Sequence, residues 1–273
     1  MLAQRQLIER VRQLCVQDER LVAAMMYGSF AKGSGDAFSD IEFVLFFLDE
    51  ALVTLDPKEW LAQVAPFELC FVNEFGVTAV IFTDLIRGEF HFDKISEVNV
   101  VTTWRDADNF PVLESTLVVD KTGALTPHLT KLIGPPTSRA TADHAQFAVN
   151  AFINWFVFGF NVLRRGEMAH ALGLLWWVQQ RLAQMARLLA GETSHWHSPL
   201  KALEQDLPLE AYGRFQSCTS HLKPAELWSA YINCWQWGLV MIPTLKQQYQ
   251  LTLSDSLLRR VSDLVSETSA RNR

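Results

Sequence analysis

Leu7, Val11, Leu14 and Cys15 recur at helical spacing over residues 3–17, and an apolar run from Leu21 to Tyr27 stops at Gly28. The first pattern predicts an amphipathic helix and the second a buried strand. A second apolar run, Ile41 to Leu48, predicts another strand. Pro57 suits the first turn of a helix running to about Val64. Phe67–Val72 and Val77–Phe82 read as strands on either side of an Asn-Glu-Phe-Gly turn, and Glu89–Phe92 and Thr116–Val119 as shorter ones. One sheet with flanking helices accounts for this alternation.

Beyond residue 136 the period changes. Thr141 suits the N-cap of a helix over about 142–165, and Met168 to Leu189 keeps helical spacing up to Gly191. Pro208 and Pro224 stand where first-turn prolines belong, the second opening a helix to about Tyr249. A last helix covers about Asp255 to Glu267. Five or so helices with short connections predict a bundle. The Gly134-Pro135-Pro136 break coincides with a change of charge: 20 acidic against 11 basic residues before it, 10 against 13 after it. Two domains are therefore expected, 1–136 and 137–273, in an α+β protein with a mixed sheet first and an all-helical bundle second.

Composition narrows the class. Of 273 residues, 49% are hydrophobic and 20% charged, which excludes wholesale disorder. A net charge of -6 argues against a general nucleic-acid coat. Cys15, Cys70, Cys218 and Cys234 form no CxxC pair and read as reduced, buried thiols of a cytoplasmic protein. Ala148–Leu163, the most apolar run, is interrupted by Asn150, Asn154 and Asn161 and is too short and polar for a membrane span. The expected partners are small molecules, neither nucleic acid nor membrane, with a homodimer through the tryptophan-rich C-terminal helices.

Candidate chemistry concentrates in MMYGSFAKGSGDAFSDIEF (25–43). An apolar strand ends at Gly28-Ser29, a loop of small residues follows, and Asp40-Ile41-Glu42 opens the next strand. Gly28 permits a sharp turn and close approach of a ligand. Ser29, Lys32 and Ser39 offer hydroxyl, backbone N–H and cationic groups to a phosphate. Positions i and i+2 of a strand share a face, so Asp40 and Glu42 project together while Ile41 enters the core. Paired carboxylates repel unless a cation sits between them, and Mg²⁺ prefers carboxylate oxygens together with substrate phosphates. A third carboxylate is expected on a later strand. Asp84 falls in a turn, whereas Glu89 alternates with Phe90 and Phe92 beside His91, which makes Glu89 the candidate base or third ligand.

Gly-Ser, ten residues, then Asp-hydrophobic-Glu resembles the nucleotidyltransferase-fold superfamily, whose catalytic core is that of DNA polymerase β. More narrowly, MMYGSFAKGSGDAFSDIEF, LIRGEFHF (85–92) and NVLRRGE (161–167) resemble the lincosamide antibiotic nucleotidyltransferases of the longer subclass, with a C-terminal helical domain. The resemblance implies that Asp40 and Glu42 bind one or two Mg²⁺ ions, that Glu89 is the catalytic base and a further metal ligand, and that Gly28 and Ser29 hold a nucleoside triphosphate. It implies adenylyl transfer from ATP to a lincosamide sugar hydroxyl, releasing pyrophosphate and conferring resistance. Glu42 stands where the wider superfamily more often has Asp. An aminoglycoside acceptor is the alternative within the fold, and a non-catalytic, antitoxin-like protein the alternative outside it.

Other features carry less. Arg164, beside Arg165 at the end of its helix, suits either a triphosphate contact or a favourable helix C-terminus. Asn150, Asn154 and Asn161 read as buried amides in preference to a ligand-facing stripe. His195-Trp196-His197 reads as a loop between helices, and Trp176, Trp177, Trp228, Trp235 and Trp237 as core or interface.

Overall fold

The computed structural model of the chain describes residues 2–106, 110, 112–135 and 137–271. It divides into two compact units, Met1–Thr137 and Ser138–Arg273. Pro136, the end of the first predicted domain, lies outside the described residues.

The first unit runs α1 (Ala3–Gln17), β1 (Leu21–Met26), α2 (Gly28–Ala31), β2 (Ile41–Phe47), α3 (Asp49–Leu52), α4 (Pro57–Ala62), β3 (Phe67–Val72), β4 (Thr78–Phe82), β5 (Arg87–Lys94), a 3₁₀ segment (Ile95–Asp106), α5 (Leu113–Thr116), β6 (Leu117–Asp120) and α6 (Thr126–Leu132). Its six strands form one mixed sheet in the order β3-β4-β5-β2-β1-β6. Only β2 and β5 run parallel, and that pair occupies the centre.

Alternation along β2 divides the core between two faces. Ile41, Phe43, Leu45 and Phe47 pack with Leu7, Val11 and Cys15 of α1 and with Trp60 of α4. Val44 and Phe46 face the other way, with Ala23 and Met25 of β1, Val98 and Val101 of the 3₁₀ segment and Leu129 of α6. Each such side chain removed from water contributes about 1.5–3 kcal/mol. A register shift in β1 between Leu21 and Ala23 lets Leu21 and Ala24 both join the α1 face. The fold is therefore legible as β-alternation, but the 3₁₀ segment is not. Its Val98 and Val101 cover the sheet without the spacing of a longer helix.

The second unit holds α7 (Ala142–Arg164), α8 (Met168–Ala190), α9 (Leu203–Asp206), α10 (Leu209–Ser217), α11 (Pro224–Tyr249) and α12 (Asp255–Arg271). Thr141 caps α7 by accepting the His144 N–H at 3.3 Å. Gly191 ends α8 at φ 73°, where the Glu192 N–H reaches back to the Arg187 carbonyl at 3.0 Å. Pro224 occupies the first turn of α11, whereas Pro208 is the N-cap of α10, one position earlier than predicted. With its polar ends included, α7 is long and apolar enough to cross a membrane by length and composition, unlike the shorter apolar run within it. Half of its most apolar window is buried inside the protein.

The asparagines of α7 depart from expectation. Asn150, Asn154 and Asn161 are exposed, not buried. Asn150 and Asn154 line an open groove of about 460 Å³ with Phe158, Leu253 and Leu257. Trp235 and Trp237 belong to the core, while Trp176 and Trp177 are 47% and 38% exposed. The four cysteines are free and buried.

A buried cation ties the long loop after α8 to that helix. Arg187 is fully buried; its Nε donates to the Pro199 carbonyl at 2.8 Å, and its Nη1 to Asp206 Oδ2 at 2.7 Å. His195 shares the same carboxylate oxygen at 2.9 Å, which anchors the His-Trp-His loop from α9. Burial pulls the Asp206 pKa up, but the hydrogen bonds from Arg187 and His195 outweigh it and hold the carboxyl below its usual range. Arg187→Leu removes the donor shared by Asp206 and the Glu192, Pro199 and Lys201 carbonyls, while Asp206 keeps its contact with His195, and it is expected to cost about 3–5 kcal/mol in urea unfolding of the whole chain. The Asp206 contribution is present above the ordinary carboxylate pKa of about 4 and is lost as pH falls through the lower folded value. An Asp206→Asn variant should therefore show a smaller loss of stability between pH 5 and pH 3, about those bounds, than the parent.

Candidate active site

The site starts where β1 ends. The Tyr27 N–H still donates to the Glu42 carbonyl at 3.0 Å, continuing the β1–β2 pairing by one residue. Gly28 then takes φ +72° and turns the chain into α2, whose Phe30 and Ala31 are buried. The sequence pattern suggested an open loop here; burial of those two side chains winds it into a single turn of helix. A Cβ on Gly28 would collide with the Glu42 carboxylate at Oε2. The carboxylate of Glu42 thus lies directly against the glycine backbone, a position that only a glycine leaves open.

Parallel pairing brings the acids together. Glu42 of β2 is in register with Glu89 of β5, so both project from the same face. Asp40 stands two residues before Glu42. Between Asp40 and Glu89 lies Arg87, the first residue of β5: its Nη1 donates to Asp40 Oδ2 and its Nη2 to Glu89 Oε1. Partial burial pulls the Arg87 pKa down, but these two hydrogen bonds outweigh it and hold the guanidinium above its ordinary value. Arg87 is the residue that the sequence pattern did not single out. Its signal was present, since it precedes Glu89 by two positions on a strand and so shares its face.

The remaining predicted residues fall into three groups. Ser29 lies in α2, where its carbonyl accepts the Ser34 N–H at 3.0 Å, and Lys32 closes the same turn, donating its N–H to Gly28. Ser39 is turned to its own loop: its hydroxyl donates to Asp36 Oδ1 at 2.8 Å and accepts the Asp36 N–H at 3.0 Å. That hydroxyl, followed by the Phe38 N–H, holds the Asp36 carboxyl below its ordinary pKa. Arg164 belongs to the helical unit, in the last turn of α7, and donates to Asn161 Oδ1 at 3.3 Å. Asp84 lies in the β4–β5 turn, where its carboxylate accepts the Ile86 N–H at 3.4 Å, away from the cluster.

His91 continues the face of Glu89 on an interior strand, not at a sheet edge. Its Nε2 pairs with the Tyr27 hydroxyl at 3.2 Å, and both rings contact Trp104 edge-on. Burial lowers the His91 pKa, while burial raises that of Asp93 on the same face. Among the described residues, no group of three or more His, Cys, Asp or Glu side chains is arranged as a metal cage. Two carboxylates are nevertheless the usual protein share of a Mg²⁺ site, which takes its other oxygens from water and phosphate. The donor set here is oxygen-only, and a cationic guanidinium is already drawn into it.

Residues 141–264 match the family model of the lincosamide nucleotidyltransferase-like C-terminal domain. The match falls within the helical unit, which is similar to that domain. Among solved structures, an aminoglycoside 6-adenyltransferase from Bacillus subtilis is 15% identical, with a TM-score of 0.44 and 98% of each chain covered. A nucleotidyltransferase-like protein from Exiguobacterium sibiricum 255-15 is 12% identical, with a TM-score of 0.38, covering 90% of this chain and 78% of that one. A CCA-adding enzyme in complex with CTP is 10% identical, with a TM-score of 0.32, covering 99% of this chain and 74% of that one. No curated protein matches the chain.

The contact between Gly28 and Glu42 is directly testable. Gly33 has a similar backbone, φ +76°, but open space around it. Gly33→Ala should cost only the left-handed backbone strain, about 1–2 kcal/mol. Gly28→Ala carries the same strain and also drives Glu42 from its position, so urea unfolding should show a larger loss; equal losses would mean that the contact is inconsequential.

Proposed function

We propose that the chain is a Mg²⁺-dependent nucleotidyltransferase that moves AMP from ATP onto a hydroxyl of a lincosamide antibiotic and releases pyrophosphate. The observation that carries this reading is the convergence of Asp40, Glu42 and Glu89 at one end of the β2–β5 pair, against the turn at Gly28. The match of the helical unit to the lincosamide nucleotidyltransferase-like family supports the acceptor class. Lincosamides carry one amine, a thiosugar and an apolar tail, and the helical unit exposes Phe158, Trp176 and Trp177 as apolar surface.

Asp40 and Glu42 are the residues that would hold Mg²⁺, which when bound supplies positive charge to the phosphate oxygens. The backbone at Gly28 and Ser29, with Lys32 at the end of that turn, receives the triphosphate. Glu89 accepts the proton of the acceptor hydroxyl as its oxygen forms a bond to the α-phosphorus. The bond from the α-phosphorus to the bridging oxygen breaks, and pyrophosphate leaves with that electron pair. Alignment of hydroxyl, phosphorus and leaving group accounts for most of the rate, and no covalent enzyme intermediate is needed.

Incubation of the purified protein with Mg²⁺, ATP and clindamycin, lincomycin or kanamycin, read by mass spectrometry, tests the proposal. An AMP adduct on both lincosamides, absent with Asp40→Asn, is the expected result. An adduct on kanamycin alone would keep the chemistry and move the acceptor to the aminoglycosides. No adduct with any acceptor would overturn the enzymatic reading. Loss of a general base lowers turnover about 10²–10⁴-fold, so Glu89→Gln should reduce kcat by about that range while nucleotide binding persists.

A further inference from the structure

We propose that Arg87 is a positioning residue that holds the place of the divalent cation, so that metal and triphosphate enter the site together and not metal alone. The inference rests on the proposed function and adds to it a residue and an order of binding.

The geometry points to competition. The guanidinium of Arg87 gives one nitrogen to Asp40 and another to Glu89, so one positive charge is shared by two of the three carboxylates. Asp40 is also one of the two residues that would hold the metal. An incoming divalent ion must therefore take oxygen lone pairs that Arg87 already occupies, and the two cations repel if both remain. The pairs are only partly screened, with Arg87 43%, Asp40 35% and Glu89 22% exposed at the side chain.

A triphosphate changes that balance. It brings several negative charges to the same turn, and a guanidinium binds phosphate oxygens in the same forked geometry as carboxylates. Arg87 can then leave Asp40 for a phosphate without losing its partners, and the metal gains both Asp40 and the phosphate oxygens. Nucleotide should thus raise metal affinity, and by linkage metal should raise nucleotide affinity by the same factor. Arg87→Lys keeps the charge but lacks the fork, and Arg87→Gln keeps hydrogen bonding without the charge.

The test is Mn²⁺ binding followed by the electron paramagnetic resonance signal of the free ion. The parent protein, Arg87→Gln, Arg87→Lys and Asp40→Asn are compared with and without an ATP analogue methylene-bridged between the α- and β-phosphates. Values are taken relative to the analogue alone. Removing the competing cation should tighten Mn²⁺ binding in the absence of nucleotide by about tenfold for Arg87→Gln and less for Arg87→Lys. The enhancement produced by the analogue should shrink by a similar factor. Mn²⁺ binding to Arg87→Gln and Arg87→Lys no tighter than to the parent would overturn the proposal, and Arg87 would be a plain staple between strands. Asp40→Asn separates the two levels. If it abolishes Mn²⁺ binding while Arg87→Gln leaves it unchanged, only the role of Arg87 fails. If it leaves Mn²⁺ binding intact, the metal assignment and the inference built on it both fail.

Discussion

Parallel pairing of β2 with β5 is the constraint on which the first unit depends. It sets Glu42 opposite Glu89 on one face, with Asp40 just ahead of the strand. Three like charges at one sheet end oppose folding unless a cation accompanies them. Beside them, Ile41, Phe43, Val44, Leu45, Phe46 and Phe47 of β2 and Phe90 of β5 are apolar and fully buried. Burial of these side chains on both faces holds the register, and the register holds the acids together against their repulsion. Arg87 lowers that repulsion from within the same pair of strands.

The helical unit meets a related problem in the opposite sense. Arg187 is a buried cation whose hydrogen bonds go to loop carbonyls and to Asp206. Its role is to order the segment between α8 and α10, which includes the loop around His195. Arg87, by contrast, is 43% exposed at its side chain, and its guanidinium bonds the carboxylates of Asp40 and Glu89. One guanidinium is locked in place by its surroundings. The other is held by two partners that a competing cation can also use.

Much of the fold was readable from the chain because strand alternation and helix caps act locally. Thr141, Gly191 and Pro224 mark helix ends through single hydrogen bonds and single backbone angles, so they are visible without knowledge of the partner. The shared face of Glu42 and Glu89 follows from the same local logic, since alternation along a strand fixes the face of each residue. The rest depends on tertiary packing. The short α2 exists because Phe30 and Ala31 find a core to enter. Asn150 and Asn154 sit on a largely apolar helix, and only the neighbouring α12 decides that they border a groove and not the interior. Arg87 carries no such local signal of its role, because an arginine at the start of a strand is usually a solvated charge. Its meaning comes from Asp40, 47 residues earlier in the chain.

Glu42 stands where the families that this sequence resembles more often have aspartate, and its surroundings give that choice a physical sense. The extra methylene lets the carboxylate reach back over the turn, until Oε2 occupies the space in which any side chain on residue 28 would begin. Gly28 is then required twice: for the left-handed backbone that ends β1, and for the volume that Glu42 fills. An aspartate at 42 would draw its carboxylate away from that turn and leave the volume empty. Glycine and glutamate therefore form one unit, in which the turn after β1 and the carboxylate that lies against it are positioned by the same contact.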